Sequence, residues 1–144
     1  MTGDPSKILV PVDGSGHSDR AVAQAIEMIK LAQVKEVHLL NVQPPLSGQV
    51  VAFIDKPTRD DYHREEADKA LASARKLLAD AKVEFKEHIS VGQPGPAILA
   101  FAKRLNCGQV VMGTHGAGAA LQLVLGSVAQ DVVRESKIPV TVVK

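Results

Sequence analysis

The stretch Val110–Ser127, "VVMGTHGAGAALQLVLGS", decides how the rest of the chain is read. It opens as a buried strand, breaks at Gly113, Gly116 and Gly118, and resumes as an apolar segment ending Leu125-Gly126-Ser127. Glycine loosens a chain, so its clustering marks either a turn or a close approach of the backbone to something bound. Gly113 is expected to let the chain turn sharply off the strand. Gly116 and Gly118 can take positive φ, which points successive N–H groups inward as an anion nest. Gly126 and Ser127 then open a helix whose first turn offers free N–H donors, a partial positive charge and a hydroxyl. Nest and helix end together would wrap a polyphosphate from two sides. The plainer alternative is that Gly126 only permits close packing and Ser127 is only an N-cap.

Outward from this stretch, two periodicities alternate along the chain. Lys7–Val12, Glu36–Val42, Val83–Val91, Gln109–Met112 and Ile138–Val143 are short apolar or alternating runs, read as strands. Between them, Ala21, Val22, Ala25, Ile26, Ile29 and Ala32 recur at helical spacing, with Ser15 or Ser18 available as N-cap. Arg59 to Lys82 is a second helix, with Ala67, Ala70, Leu71, Ala74, Leu77, Leu78 and Ala81 on one face. Gly92–Pro96 turns into a third, and Gly126 to Ser136 is a fourth, with Val128, Val132 and Val133 expected to be buried. Gln43 to Thr58, with its prolines, reads as a long surface connection, mobile or a lid. Strands alternating with amphipathic helices give a single α/β domain over 1–144, a doubly wound parallel sheet covered on both faces.

The totals exclude several classes. The chain has 144 residues, 45% apolar and 23% charged, with a net charge of +1. That charge supplies no field for nucleic acid, and the scarcity of aromatics argues against base-stacking modules. No apolar run approaches a membrane span, and the N-terminus lacks the pattern of a signal peptide, so neither membrane insertion nor export is expected. Cys107 is the only cysteine, which leaves no internal disulfide; it reads as a small residue in a turn, and the expected address is the cytoplasm. The histidines show no metal-ligand spacing, so no metal is assigned to protein ligands.

In open α/β sheets ligands sit beyond the carboxyl ends of the strands. Pro11-Val12-Asp13, Asn41-Val42-Gln43 and the glycine stretch all emerge at that edge. It is neither a P-loop, lacking Gly-Lys-Ser/Thr at the required spacing, nor a Rossmann fingerprint, whose glycines follow the first strand. The spacing Gly-x2-Gly-x9-Gly-Ser at Gly113, Gly116, Gly126 and Ser127, with "ILVPVDGS" at the first strand and "IPVTVV" at the end, resembles the universal stress protein family in its nucleotide-binding branch. The likeness covers essentially the whole chain. It implies a five-stranded parallel sheet of order 3-2-1-4-5 and bound ATP or another adenine nucleotide such as AMP, with Mg²⁺. By that resemblance Pro11, Val12 and Asp13 line the adenosine, Val42 packs near the adenine, Met112 and Gly113 close the pocket, and Gly116, Gly126, Ser127 and Val128 hold the phosphates. It also implies a homodimer through the C-terminal strand, residues 138–143.

From the residues themselves, Asp13 can accept from a ribose hydroxyl, hold a divalent ion, or cap its own loop. His115 is either a hydrogen bonder on the phosphate side or a solvated loop residue. Ala117-Gly118-Ala119-Ala120 lacks the Lys or Arg that relatives often carry there, which leaves phosphate charge to backbone amides, Ser127 and Mg²⁺. Without a cation beside the γ-phosphate, hydrolysis is expected to be slow or absent. The leading reading is therefore a stress-response or regulatory nucleotide-binding module. An interaction protein that needs no nucleotide and an adenylating enzyme are the alternatives.

Overall fold

The computed structural model describes residues 3–115 and 125–144. The elements run β1 (Asp4–Pro11), α1 (Gly16–Lys30), β2 (Glu36–Gln43), α2 (Gly48–Val51), α3 (Lys56–Asp80), β3 (Phe85–Val91), α4 (Pro94–Arg104), β4 (Cys107–Gly113), α5 (Ser127–Glu135) and β5 (Val140–Val143). The strands form one five-stranded sheet, all parallel, in the order β3-β2-β1-β4-β5. Order reverses between β1 and β4, so the carboxyl ends of these two strands sit side by side.

Strand parity assigns the two layers. Ile8, Val10, Val12, Val37, Leu39 and Val111 face α1 and α3, packing with Val22, Ile26, Leu71 and Leu78. Leu9, Leu40, Val110 and Met112 point the other way, against Ile98 and Ala102 of α4 and Ala129 and Val132 of α5. Ile8, Leu9 and Val10 are all fully buried, which is why β1 reads as an unbroken apolar run.

Helix ends differ from the sequence reading where capping decides them. The 43–58 connection holds two helix starts. Ser47 accepts from the Val50 N–H and opens α2, and Asp55 accepts from the Thr58 N–H and opens α3. Pro57 lies in the first turn of α3, where its missing N–H costs nothing. The long-loop expectation therefore fails on two capping residues inside it. On α5, Ala129 and Val132 are buried whereas Val133 is exposed, because one short helix presents only one stripe to the sheet. Cys107 is not in a turn: it is a buried residue opening β4, and burial pushes its thiol up to about 11.

A polar cluster that the scattered histidine positions did not announce lies on the α4 side of β2 and β3. His38, 3% exposed, bonds through Nε2 to Glu36 Oε1 at 2.8 Å and through Nδ1 to His88 Nε2 at 2.9 Å. A carboxylate only accepts, so His38 donates to Glu36; in the neutral pair its Nδ1 then accepts from His88. His88 stacks on His38 and tilts against Phe101, over which Arg104 lies. Burial, followed by the nearby His38, Arg104 and Lys86, holds the His88 imidazole below its ordinary value. A lowered histidine value means the unfolded chain binds the proton more readily, so stability is intact above about pH 6.5 and is lost as pH falls below it. The urea midpoint should accordingly drop between pH 7.5 and 5.5, and His88→Gln should flatten that slope.

Candidate functional site

Two loops and one helix end build a cavity at the carboxyl edge of the sheet. The first loop is held from behind by buried amides. Val12 donates its N–H to the Leu40 carbonyl at 2.8 Å, and Asn41 Nδ2 donates to the Val12 carbonyl, also at 2.8 Å. Gln43 Nε2 in turn donates to Asn41 Oδ1 at 2.7 Å. These bonds fix the backbone of Pro11-Val12-Asp13 where the strand ends. Asp13 Oδ1 accepts from the Ser15 N–H at 2.9 Å, and Ser15 Oγ accepts from the Ser18 N–H, capping α1. The loop-capping role of Asp13 is thus real. One such bond does not exhaust a carboxylate, which has about four lone-pair sites.

The second loop leaves β4 and returns to α5. Thr114 donates its N–H to the Val143 carbonyl at 3.0 Å, and its own carbonyl accepts from the Gly126 N–H at 2.7 Å. The start and end of the spacer are therefore pinned to each other. Gly116 and Gly118 lie outside the described residues. Gly113 is the last residue of β4 and has no positive φ. A Cβ there would sit 2.7 Å from His17 Cβ and 2.8 Å from the His17 carbonyl carbon and oxygen. Its purpose is close approach of the first turn of α1, not the sharp turn expected from the sequence. Gly126, at φ −65°, is the N-cap of α5 and packs on Thr114 and His115.

The resulting cavity measures about 390 Å³, within the range of small-molecule sites. Pro11, Val12, Asp13, Val42, Met112, Gly113, Gly126, Ser127 and Val128 all line it. Of the residues assigned to the nucleotide site by the resemblance, Gly116 alone falls outside the described part. Leu40, Val42, Ile98 and Met112 give one apolar wall, the surface that a flat heteroaromatic ring would need. Thr114, His115 and the start of α5 line the same cavity. That helix start has no side-chain cap, in contrast to α1 and α3, so its first N–H groups are left for an anion. The sequence reading missed Ser18, Leu40, Pro94, Ile98 and Ala129 as wall residues. They sit in helices or mid-strand, and no local pattern separates a cavity wall from core.

Residues 5–144 match the family model of the universal stress protein family. The chain belongs to that family. Among curated members, it is 30% identical to the universal stress protein MJ0531 of Methanocaldococcus jannaschii, over 96% of this chain and 81% of that one. MJ0577 of the same organism is 28% identical over 96% and 94% of the two chains. The solved structure of MJ0577 superposes with a TM-score of 0.82, covering 97% of this chain and 96% of that one. A universal stress protein from Archaeoglobus fulgidus, solved in complex with dAMP, superposes at 0.69 with 25% identity, covering 96% and 97%. The five-stranded parallel sheet with helices on both faces is the architecture of these neighbours.

The two described glycines of the universal stress protein motif should differ in tolerance. Gly113→Ala drives a methyl into the α1 backbone and should cost about 1–3 kcal/mol in urea unfolding. Gly126→Ala meets its neighbours only at 3.2–3.3 Å and should cost well under half as much.

Proposed function

We propose that this universal stress protein binds an adenine nucleotide at the carboxyl edge of its sheet and acts as a stress-response binding module. The observation that carries this reading is one cavity lined both by an apolar wall and by an uncapped helix N-terminus. A nucleotide has the matching groups, a flat base joined to an anionic tail. Val42 and Met112 would sandwich the base, Asp13 would accept from a ribose hydroxyl, and Ser127 and Val128 would donate N–H groups to a phosphate that Gly126, having no side chain, lets approach. Gly116 remains part of the proposed phosphate cradle on the motif alone. The dAMP complex of the Archaeoglobus fulgidus relative supports an adenine nucleotide as ligand.

Mg²⁺ fits this site only as a companion of the phosphates. Among the described residues no group of three or more His, Cys, Asp or Glu converges to cage a metal. Magnesium accepts that situation, since it keeps several waters and binds through phosphate oxygens. Rapid hydrolysis is not part of the proposal, because no Lys or Arg is among the described lining residues to stabilise charge on a γ-phosphate. Among the described residues no helix is long and apolar enough to cross a membrane. On this reading the module works in the cytoplasm, where a lone buried thiol stays reduced.

Titration calorimetry with AMP, dAMP and ATP, with and without Mg²⁺, tests the reading. Saturable binding supports it, and no heat with any nucleotide sinks it. Ser127→Glu is the informative variant: a carboxylate in the first turn suits the helix dipole, so melting should hold or improve. The same carboxylate occupies the anion position and should weaken ATP binding at least about tenfold.

We also propose that β5 pairs with its counterpart in a second copy. It is the edge strand next to β4, its residues Val140–Val143 are only partly buried, and it carries no charge before Lys144. A bare apolar edge of this kind invites another strand. Light scattering at micromolar concentration should give twice the 15.3 kDa chain mass, and Val142→Lys should return it to one.

A further inference from the structure

The cavity has a deficit of positive charge. Among its described lining residues only Asp13 and His115 titrate, and Asp13 brings the wrong sign for phosphate. His115 is thus the single described wall group able to become cationic. Its geometry is already committed on one side: Nδ1 lies 3.0 Å from Thr114 Oγ1, the residue whose backbone closes the second loop. Nε2 is buried and, among the described residues, has no hydrogen-bond partner. An orphaned polar atom is costly, and in a cavity wall it is the mark of a group awaiting a ligand.

The ring is clamped between two helix starts. On one side the His17 ring lies 5.3 Å away at 49°. On the other, Gly126 leaves room for the edge of the His115 ring, whose Cδ2 would be 3.6 Å from an added Cβ. His17 is itself fixed from outside. Arg20 Nη2 donates to its Nδ1 at 2.9 Å, while Arg20 Nε donates to the Lys144 carbonyl, also at 2.9 Å. A guanidinium only donates, so His17 accepts on Nδ1. The positive charge of Arg20 therefore stands one imidazole behind His115.

Resting on the nucleotide-binding reading, we propose that His115 is a phosphate-binding side chain of this protein, donating from Nε2, and that His17 and Arg20 position it. It takes the place of the Lys or Arg missing from Ala117-Gly118-Ala119-Ala120. A phosphate oxygen near Nε2 favours the imidazolium, so binding draws in a proton and strengthens as pH falls through the histidine range. Asp13 across the cavity favours the same proton. Arg20, and His17 if charged, oppose it, and Lys144 stands behind Arg20. The first turn of α5 adds no charged side chain. The site so built prefers nucleotides in proportion to their phosphate charge, but with a pH dependence that a lysine would not impose.

Calorimetry in buffers of differing ionisation enthalpy reads the proton directly, with adenosine, AMP and ATP as probes between pH 5.5 and 8. Wild type should take up a fraction of a proton with ATP near pH 7. His115→Gln keeps a neutral donor and should reduce that uptake, while His115→Leu should also lower ATP affinity about tenfold near pH 6. The loss should shrink from ATP to AMP and be least for adenosine. Comparison with wild type at each pH cancels the titration of the nucleotide's own phosphate. Arg20→Gln should shift the pH midpoint of ATP binding upward, an effect that a purely structural role would not produce. ATP affinity and proton uptake in His115→Gln and His115→Leu that match wild type throughout would overturn the inference. Adenine nucleotides failing to bind wild type at all would instead remove the reading on which it rests.

Discussion

One hydrogen bond organises the functional edge of this molecule: the Gly126 N–H to the Thr114 carbonyl, at 2.7 Å. It ties the end of β4 to the start of α5 across the whole spacer. With it in place, the uncapped first turn of α5 faces the loop after β1, and the cavity between them has a floor. Thr114 can serve as anchor because its own N–H is taken by Val143 of β5. The site thus depends on the edge strand as well as on the central ones. Gly126 is compatible with that bond because a side chain there would press on Thr114 and His115.

The same economy governs the other wall. Besides the Asp13 cap on Ser15, Pro11-Val12-Asp13 is held by Asn41, a buried amide on the neighbouring strand that Gln43 supports in turn. Buried amides stay only when satisfied, and here each donates to a group that needs a partner. Packing of α1 against Gly113 completes the frame. The helix start, the strand end and Thr114 are positioned by backbone contacts, which leaves the cavity to apolar wall residues and a few polar atoms.

Much of this was legible in the chain. Continuous apolar runs such as Ile8-Leu9-Val10 require a sheet buried on both faces, and the alternation with helices gave the layers. The spacing from Gly113 through Gly126 to Ser127 marked the strand end and helix start that the structure brings together. Errors came where a local signal was overridden or overlooked. Asp55 and Ser47 cap helices inside a stretch whose prolines suggested a loop. Val133 has the hydrophobicity of a core residue, but α5 turns it to solvent. Gly113 suggested a bend, whereas it is extended and small because α1 presses on it.

Periodicity and glycine spacing were enough to indicate the α/β class and to mark one strand end and one helix start, because both are properties of neighbouring residues and of the backbone. What only the tertiary structure decided is which distant groups meet there. His115, which follows β4, acquires its clamp by His17 and the guanidinium behind it from α1. Likewise His38 and His88, fifty positions apart, share a hydrogen bond only because β2 and β3 are adjacent. Such contacts depend on strand order and register, quantities set by the packing of the whole sheet and written in no single stretch of the chain.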